Sequence, residues 1–553
     1  MRDAPCDVRT GGAEAVTSPV VPATYDRRIE AEFVMPRTIN ACWRASLLGS
    51  VALLAPSITL AQSSFDCVAP AAPTLVAPVV LGNGSAGSAT TAQLQQALDA
   101  GGPIRLNIGA STLVVNPTLT VKRASVLDLG GASLSGGDAR RVIEVQNPSN
   151  LTYTFALRNG AIVHGSTPGG SGAGLYKATG GPWQAVTIQL FDMVFSNNHA
   201  VATAQDDGGG AVYVIGTAEI ASVRTQFVAN SGANGGALYS LGSKRVNLYD
   251  NAFVGNTATG TGGNPGNGGN GGAIGVDGDA RFVNLCRVRL VDNTAHAYGG
   301  GLFTVTYSSA SFTRLQDTTV QGNASSASDK LAGGAYIQGS PIMISGSTFR
   351  ANTASGYSGL ALFGAGGVLQ GSIVNSTFVD NVANSGLGGA MSISGATALT
   401  LQNLTIARNR APCNVCFAGG IANDSGSALT LRNVVFQDNT GGNAFNPWAM
   451  LHPAANGAAN LQWPQTRPGS GGQQESAVAP GTSFANANLE DPDVNGGATE
   501  TMALPQGSPA IDAGTASGAP AVDQRGAPRF GVVDIGAYER QPDLIFRNGF
   551  DGG

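Results

Sequence analysis

Residues 227–240 read FVANSGANGGALYS: an aromatic, two variable residues, an asparagine, a run of small residues, then Gly-Gly-Ala. The phrase keeps returning. It reads FSNN before GGGAVYV, FVGN before GGAIGV, LVDN before GGGLF, VQGN before GGAYI and FRAN before SGLALF. FVDN before GGAMSI, IARN before GGIAN and a closing FQDN complete the series. The marker asparagines are Asn198, Asn230, Asn256, Asn293, Asn323, Asn352, Asn381, Asn409 and Asn439, about 30 residues apart on average. A period of this length marks stacked units, each too small to bury its own apolar face.

The units carry few helix signals, because Gly and Asn break the pattern every few residues. Between the breaks lie short β-prone runs, such as RVNLY (245–249), RFVNL (281–285), ALTL (398–401) and LTLRNVVF (429–436). Runs of that length bounded by Gly, Asn, Asp and Ser read as strands. Two or three strands per unit make one coil of a parallel β-helix, with coils stacking at roughly 4.8 Å. A propeller blade is longer and has four strands. The expected fold is therefore all-β: a single-stranded right-handed parallel β-helix, or solenoid, with a short N-terminal capping helix.

Each repeated residue has a physical task in that geometry. Phe195, Phe227, Phe253, Phe349, Phe378 and Phe436 are expected to point inward and stack. The marker Asn falls at a corner, where it tolerates a left-handed backbone and bonds the Asn one coil away. The nine asparagines are thus expected to form a structural ladder. Gly235-Gly236, Gly271-Gly272, Gly333-Gly334 and Gly388-Gly389 let the backbone turn and pack closely. The paired FxxN and GGA(I/L/Y) phrases resemble the polymorphic outer-membrane protein repeat, within the pectin-lyase-like right-handed β-helix superfamily. The resemblance covers roughly 195–439. Leu290, Val320 and Ile406 replace the Phe and keep the core filled.

The ends differ in character. Residues 35–61 read as a secretory signal: Arg37 and Arg44, an apolar run from Ala45 to Leu60, then small residues ending at Ala61. The run is too short and interrupted for a membrane span. Residues 1–34 read as an upstream extension, with Met35 as the expected start. Secreted material is expected to begin near Gln62, and recovery of mature chain still carrying 1–34 would overturn this. Residues 62–102 read as linker and cap, with TAQLQQALDA (91–100) as an amphipathic helix. The β-helix is expected over 103–447, followed by a loop-rich connection over 448–487. Within 488–540, NGGATETMALPQGSPAIDAG (495–514) and DQRGAPRFGVVDIGAYE (523–539) resemble the choice-of-anchor Q domain of secreted bacterial β-helix proteins. This region reads as a last rung plus cap, with Asp523, Arg525 and Asp534 available for ion pairs. The tail 541–553 resembles a sorting tag.

The chain has 553 residues, 79 Gly, 12% charged residues and a net charge of −5. A weakly charged, mildly acidic surface argues against nucleic acid and suits polyanionic glycans poorly. Four cysteines follow the signal. Cys413 and Cys416 are expected to pair locally; free thiols and a zinc half-site are the alternatives. Cys286 reads as a small buried residue.

Catalytic candidates are sparse. Asp206-Asp207 and His164-Gly165 match two of the four phrases of a polygalacturonase-like set, and the other two are missing. Asp292, Asp380 and Asp438 share one repeat position, and His199 and His296 are further potential bases. Each reads first as an ordinary corner or loop residue. GGAIGVDGD (271–279) is similar to a single calcium nonapeptide, without the tandem copies such sites need. No catalytic, metal or cofactor residue is therefore assigned. The expected role is an exported, surface-associated β-helical protein, adhesin-like or structural and glycan-binding, on the outside of a Gram-negative cell. The alternative is a polysaccharide lyase or glycoside hydrolase acting on an extracellular glycan.

Overall fold

The computed structural model describes residues 67–542, apart from 178–179, 181–182, 264–267, 279, 281, 308–310 and 469–471. The expected signal and most of the tail lie outside the described residues.

The chain forms a parallel β-solenoid of about 13 turns. One coil shows the plan. Ile274–Asp277 joins a twelve-stranded face sheet. Phe282–Cys286 and Arg289–Val291 join a broad sheet, and Thr294–Ala295 a short one. Every strand of the coil pairs in parallel with its counterpart one coil on. Among its described residues four left-handed ones turn it: Gly278, Arg287, Asp292 and Gly299, with φ of 91°, 52°, 54° and 69°.

The bend before each marker Asn differs from the sequence reading. The left-handed residue is the preceding one: Asn197, Ala229, Gly255, Asp292, Gly322, Ala351, Asp380, Arg408 and Asp438, with φ from 52° to 65°. The Asn that follows turns its side chain into the core, at most 3% exposed. From Asn198 to Asn409, each Nδ2 donates to the next Asn Oδ1 at 2.8–3.1 Å. The backbone N–H of the same residue donates to that oxygen too. The other amide hydrogen reaches back one coil, as from Asn352 to Val320 O at 2.9 Å. Each interior Asn therefore ties three coils together, leaving no polar atom of its amide unpaired inside the core. Beside it the rings stack, Phe227 on Phe253 at 4.4 Å and Phe349 on Phe378 at 4.7 Å.

At the glycine corner the first residue is left-handed and the second is crowded. A Cβ on Gly272 would lie 2.1 Å from Gly300 O. The repeat containing Gly333-Gly334 is offset by one, so the left-handed residue there is Ala332, at φ 63°.

The helix Thr91–Ala100 caps the N-terminal end. Thr90 and Gln93 close a capping box, and Leu94, Ala97 and Leu98 face the core. Gln95 then does what a neighbouring strand would do. Its side-chain amide accepts from Thr120 N at 2.8 Å and donates to Thr120 O at 3.0 Å. That satisfies the open edge of the first face-sheet strand, Leu119–Val121.

The flank of the broad sheet is covered by both ends of the described chain. Cys286 is not a solitary buried thiol: it is disulfide-bonded to Cys67, 219 residues earlier. From Cys67 a proline-rich strap runs to Pro73, whose carbonyl accepts from Arg158 Nη1 at 2.7 Å. Arg287 Nη1 donates to Cys67 O at 2.9 Å. Arg158, Phe191, Val223, Tyr249 and Cys286 are register partners in one outward row. Six residues of extended polyproline-like chain reach about 19 Å, which matches the four coil steps of that row at roughly 4.8 Å each. Phe191, Val223 and Cys286 are completely buried along this path.

Residues 448–487 add further parallel strands, among them Asn460–Trp463 and Thr482–Phe484. Residues 488–540 do not stack as a last rung. They lie sideways across the flank, where register-matched threonines receive them. Thr348 Oγ1 donates to Glu500 O at 2.5 Å, Thr377 Oγ1 to Gln524 Oε1 at 2.7 Å, and Thr405 Oγ1 accepts from Ala537 N at 3.1 Å. The broad-sheet bend has two uses along the solenoid. In the N-terminal half it carries Asp192, Arg224, Asp250, Arg287 and Asp317, paired as Arg224–Asp192 at 2.6 Å and Arg287–Asp250 at 2.5 Å. Further on it carries Asn375, Asn403 and Asn433, whose amides hold Val522 O, Asp534 O and the Thr515 backbone.

Inside this layer Arg525 pairs with Asp523 at 2.7 Å and Arg529 with Glu539 at 2.8 Å. Burial pushes the Asp534 carboxyl up to about 6, against the pull of two backbone N–H donors. A carboxyl held above its unfolded value contributes stability below about pH 4 that is lost as pH rises through 6. The difference in melting temperature between wild type and Asp534→Asn is therefore expected to shift towards the variant between pH 4 and 7. A flat difference across that window would exclude this role.

Candidate functional site

The expected catalytic candidates do not converge. Asp207 braces its own loop, accepting from Ala204 N at 2.9 Å and Ser171 Oγ at 3.0 Å. His164 sits against Asp138 at 3.2 Å, and His199 against Ser231 Oγ at 2.8 Å. Asp380 is held by both ends of the Arg408 guanidinium at 2.9 Å. Asp292 and Asp438 occupy the same left-handed position in other coils, separated from Asp380 by Gly322 and Ala351 on one side and Arg408 on the other. His296 follows the short-sheet strand Thr294–Ala295, where its backbone N–H donates to Ala258 O at 3.3 Å. Among the described residues, no group of three or more His, Cys, Asp or Glu is placed to hold a metal ion. The nonapeptide-like stretch is a glycine corner followed by the strand Ile274–Asp277, and Asp279 lies outside the described residues.

Cys413 and Cys416 are disulfide-bonded to each other. The loop they close is buttressed by 441–446: Gly442 N and Asn446 Nδ2 both donate to Cys416 O.

The outer side of the face sheet holds the more developed site. Its register brings Tyr176, Tyr213, Tyr239, Gly275, Phe303 and Tyr336 into one row. Tyr176 stacks on Tyr213 at 5.4 Å and Phe303 on Tyr336 at 5.3 Å. Tyr239 leans over Gly275, where a Cβ would come 2.7 Å from its ring. Beside this buried row the strands end in left-handed glycines, Gly216, Gly242 and Gly278. Trp183 lies across the first two: a Cβ would meet its indole at 2.5 Å on Gly216 and 2.4 Å on Gly242. Tyr307 stands at the other side. Trp183, Leu241, Gly242, Gly278 and Tyr307 line a cavity of about 260 Å³. Trp183 is 61% exposed and Tyr307 54%, so two large rings are kept in solvent around a glycine floor.

Asp277 lies beneath, 4% exposed, accepting from Gly278 N at 2.7 Å. Burial, with the charge and hydrogen bond of Asp277 and the charge of Asp206, pushes the Tyr307 hydroxyl up to about 12. Burial is also the main cause that raises Tyr239 well above its usual value, again with Asp277 and Asp206 contributing. Asp206 is exposed, and its carbonyl accepts from Tyr213 Oη at 3.0 Å. Sequence reasoning singled out Asp206 and missed Trp183, Asp277 and Tyr307. The aromatic row was legible in the repeats, as AVY, ALY, GLF and GAY after the paired glycines. Trp183 and Tyr307 stand outside the repeat pattern and gave no periodic signal.

No helix among the described residues is long and apolar enough to cross a membrane. No protein-family model matches the chain. No curated protein matches it. Among solved structures it is similar to the crystal structure of PfbA, a surface adhesin of Streptococcus pneumoniae, at 9% identity. That match covers 77% of this chain and all of the other, with a TM-score of 0.30, and a likeness so distant says nothing of what this chain binds.

Proposed function

We propose that this chain is an exported, surface-associated β-helical protein, adhesin-like in role, that binds an extracellular glycan on the outer side of its face sheet. The supporting observation is the pair of exposed rings, Trp183 and Tyr307, held around a glycine-floored cavity. Aromatic faces receive the apolar sides of sugar rings, while nearby polar groups fix their orientation. The signal-like 35–61, the repeats similar to polymorphic outer-membrane proteins, and the choice-of-anchor-like 488–540 support export and display at a Gram-negative surface.

A glycan array with the mature chain tests this, with Trp183→Ala and Tyr307→Ala as site variants. Each is expected to lower affinity at least tenfold, with the melting temperature little changed because both rings are largely in solvent. Gly242→Ala is expected to act through position, since its new methyl would occupy the place of the indole. Equal binding by wild type and all three variants would remove the site from consideration.

A second reading is hydrolysis or lyase chemistry on an extracellular glycan, with Asp206, exposed on the loop whose carbonyl accepts from Tyr213 Oη, and Asp277, which accepts from Gly278 N, as the carboxylates to test. Turnover of a polysaccharide that disappears in both Asp206→Asn and Asp277→Asn would replace binding by catalysis.

A further inference from the structure

The outer side of the 488–540 layer carries an apolar patch beside the last described residues. Val522 bridges Pro528 in antiparallel register, and Arg529 N donates to Ala521 O at 3.0 Å. Directly opposed residues share a face, and successive residues alternate between faces. The Arg529 side chain is turned inward onto Glu539 and is 4% exposed. Its neighbours Pro528 and Phe530 are turned outward, on the side that Val522 also takes. Phe530 is 64% exposed and Val522 41%. Arg529 and Glu539 pair with each other beneath them, so neither brings its charge to the surface. Exposed apolar residues grouped in this way mark a contact surface.

The chain leaves the layer at this patch. Gln541 Nε2 donates to Pro528 O at 3.0 Å. Phe530 is two residues from that anchor, about 7 Å of extended chain. Residues 543–553 read DLIFRNGFDGG, which places Leu544, Ile545, Phe546 and Phe550 within reach. A segment tethered so closely meets the patch at an effective concentration of about millimolar, far above what a free partner or a second copy supplies. We propose that the Val522, Pro528 and Phe530 patch is the docking surface of this chain's own segment 543–553, seated through its apolar run 544–546. Whatever reads or removes that segment has to compete with the patch.

Chymotrypsin digestion of the full mature chain tests this, because the protease cuts after Phe546 and mass spectrometry reads the loss of 547–553. Phe530→Ser is expected to speed that cut at least fivefold, with the melting temperature little changed because the ring is largely in solvent. Val522→Ser, across the patch, is expected to speed it as well. Removing 543–553 is expected to raise binding of an apolar fluorescent dye, and adding Phe530→Ser to the shortened chain to abolish that gain. Equal cleavage in wild type and both variants would overturn the docking, as would dye binding indifferent to the removal. Sedimentation is run alongside. A dimer that Phe530→Ser turns into monomer, with cleavage after Phe546 unchanged, would give the patch to a second copy and refute the proposal.

Discussion

Asn352→Asp is expected to lower the melting temperature by several degrees, and by clearly more than Asn439→Asp. In the native chain Asn352 Nδ2 donates to Asn381 Oδ1 at 2.9 Å and to Val320 O at 2.9 Å. An aspartate there would set a carboxylate oxygen against two acceptors in a site with no exposure to water. Leaving buried partners unpaired costs on the order of 1–3 kcal/mol each, and a buried charge adds to that. Asn439 is also buried, but it donates only to Ile406 O, and the ladder has no asparagine beyond it among the described residues. Its replacement breaks one coil contact instead of two. Thermal melts of the two variants, with glycan binding measured below both transitions, separate stability from function. Unchanged stability with lost binding in Asn352→Asp would make the ladder a site and refute the structural reading.

The second large effect is expected from Cys67→Ser paired with Cys286→Ser. The bond closes a loop of 219 residues. Chain-entropy reasoning gives up to about 5 kcal/mol for a loop of that size, with typical measured values of roughly 2–4 kcal/mol. The loss should concentrate in the N-terminal half, because solenoid coils contact only their neighbours. Limited proteolysis is therefore expected to cut the strap at 67–78 in the variant while leaving 488–540 docked. Cys413→Ser with Cys416→Ser is the comparison: that bond spans 3 residues and constrains little unfolded chain. Equal destabilisation by the two double variants would rule out strap clamping as the cause.

The repeat made the solenoid legible because its determinants are local and recur. A Phe fills the core, a bend follows two residues later, and an Asn enters the ladder. What the repeat did not reveal is which residue bends. Ala229, Ala351 and Arg408 adopt left-handed φ beside an Asn that looks better suited to it. The reason is that the Asn amide is committed to its neighbours, which demands an inward side chain, so the preceding residue takes the turn whatever its type.

Long-range partners were not legible for a different reason. Cys67 and Cys286 share no periodicity, and only the axial run of the strap brings them together. The sideways docking of 488–540 depends on Thr348, Thr377 and Thr405 forming one outward row, a property of register and not of any single coil. Trp183 reaches the site from an irregular turn before the strand Val186–Ser196, and Tyr307 from the turn after Leu302–Val305.

The strap also sets an order of events along the chain. Cys67 is synthesised early, but its partner follows 219 residues later, and the outward row it crosses does not exist until the intervening coils have wound. The lateral layer has the converse dependence: Thr515 and Gln524 arrive late and need coils already in place at Asn433 and Thr377. Both ends of the described chain thus wait for the middle. A chain emerging N-terminus first would have to hold its leading segment open until the central coils wind, and fasten the two flanks only once the stack is complete.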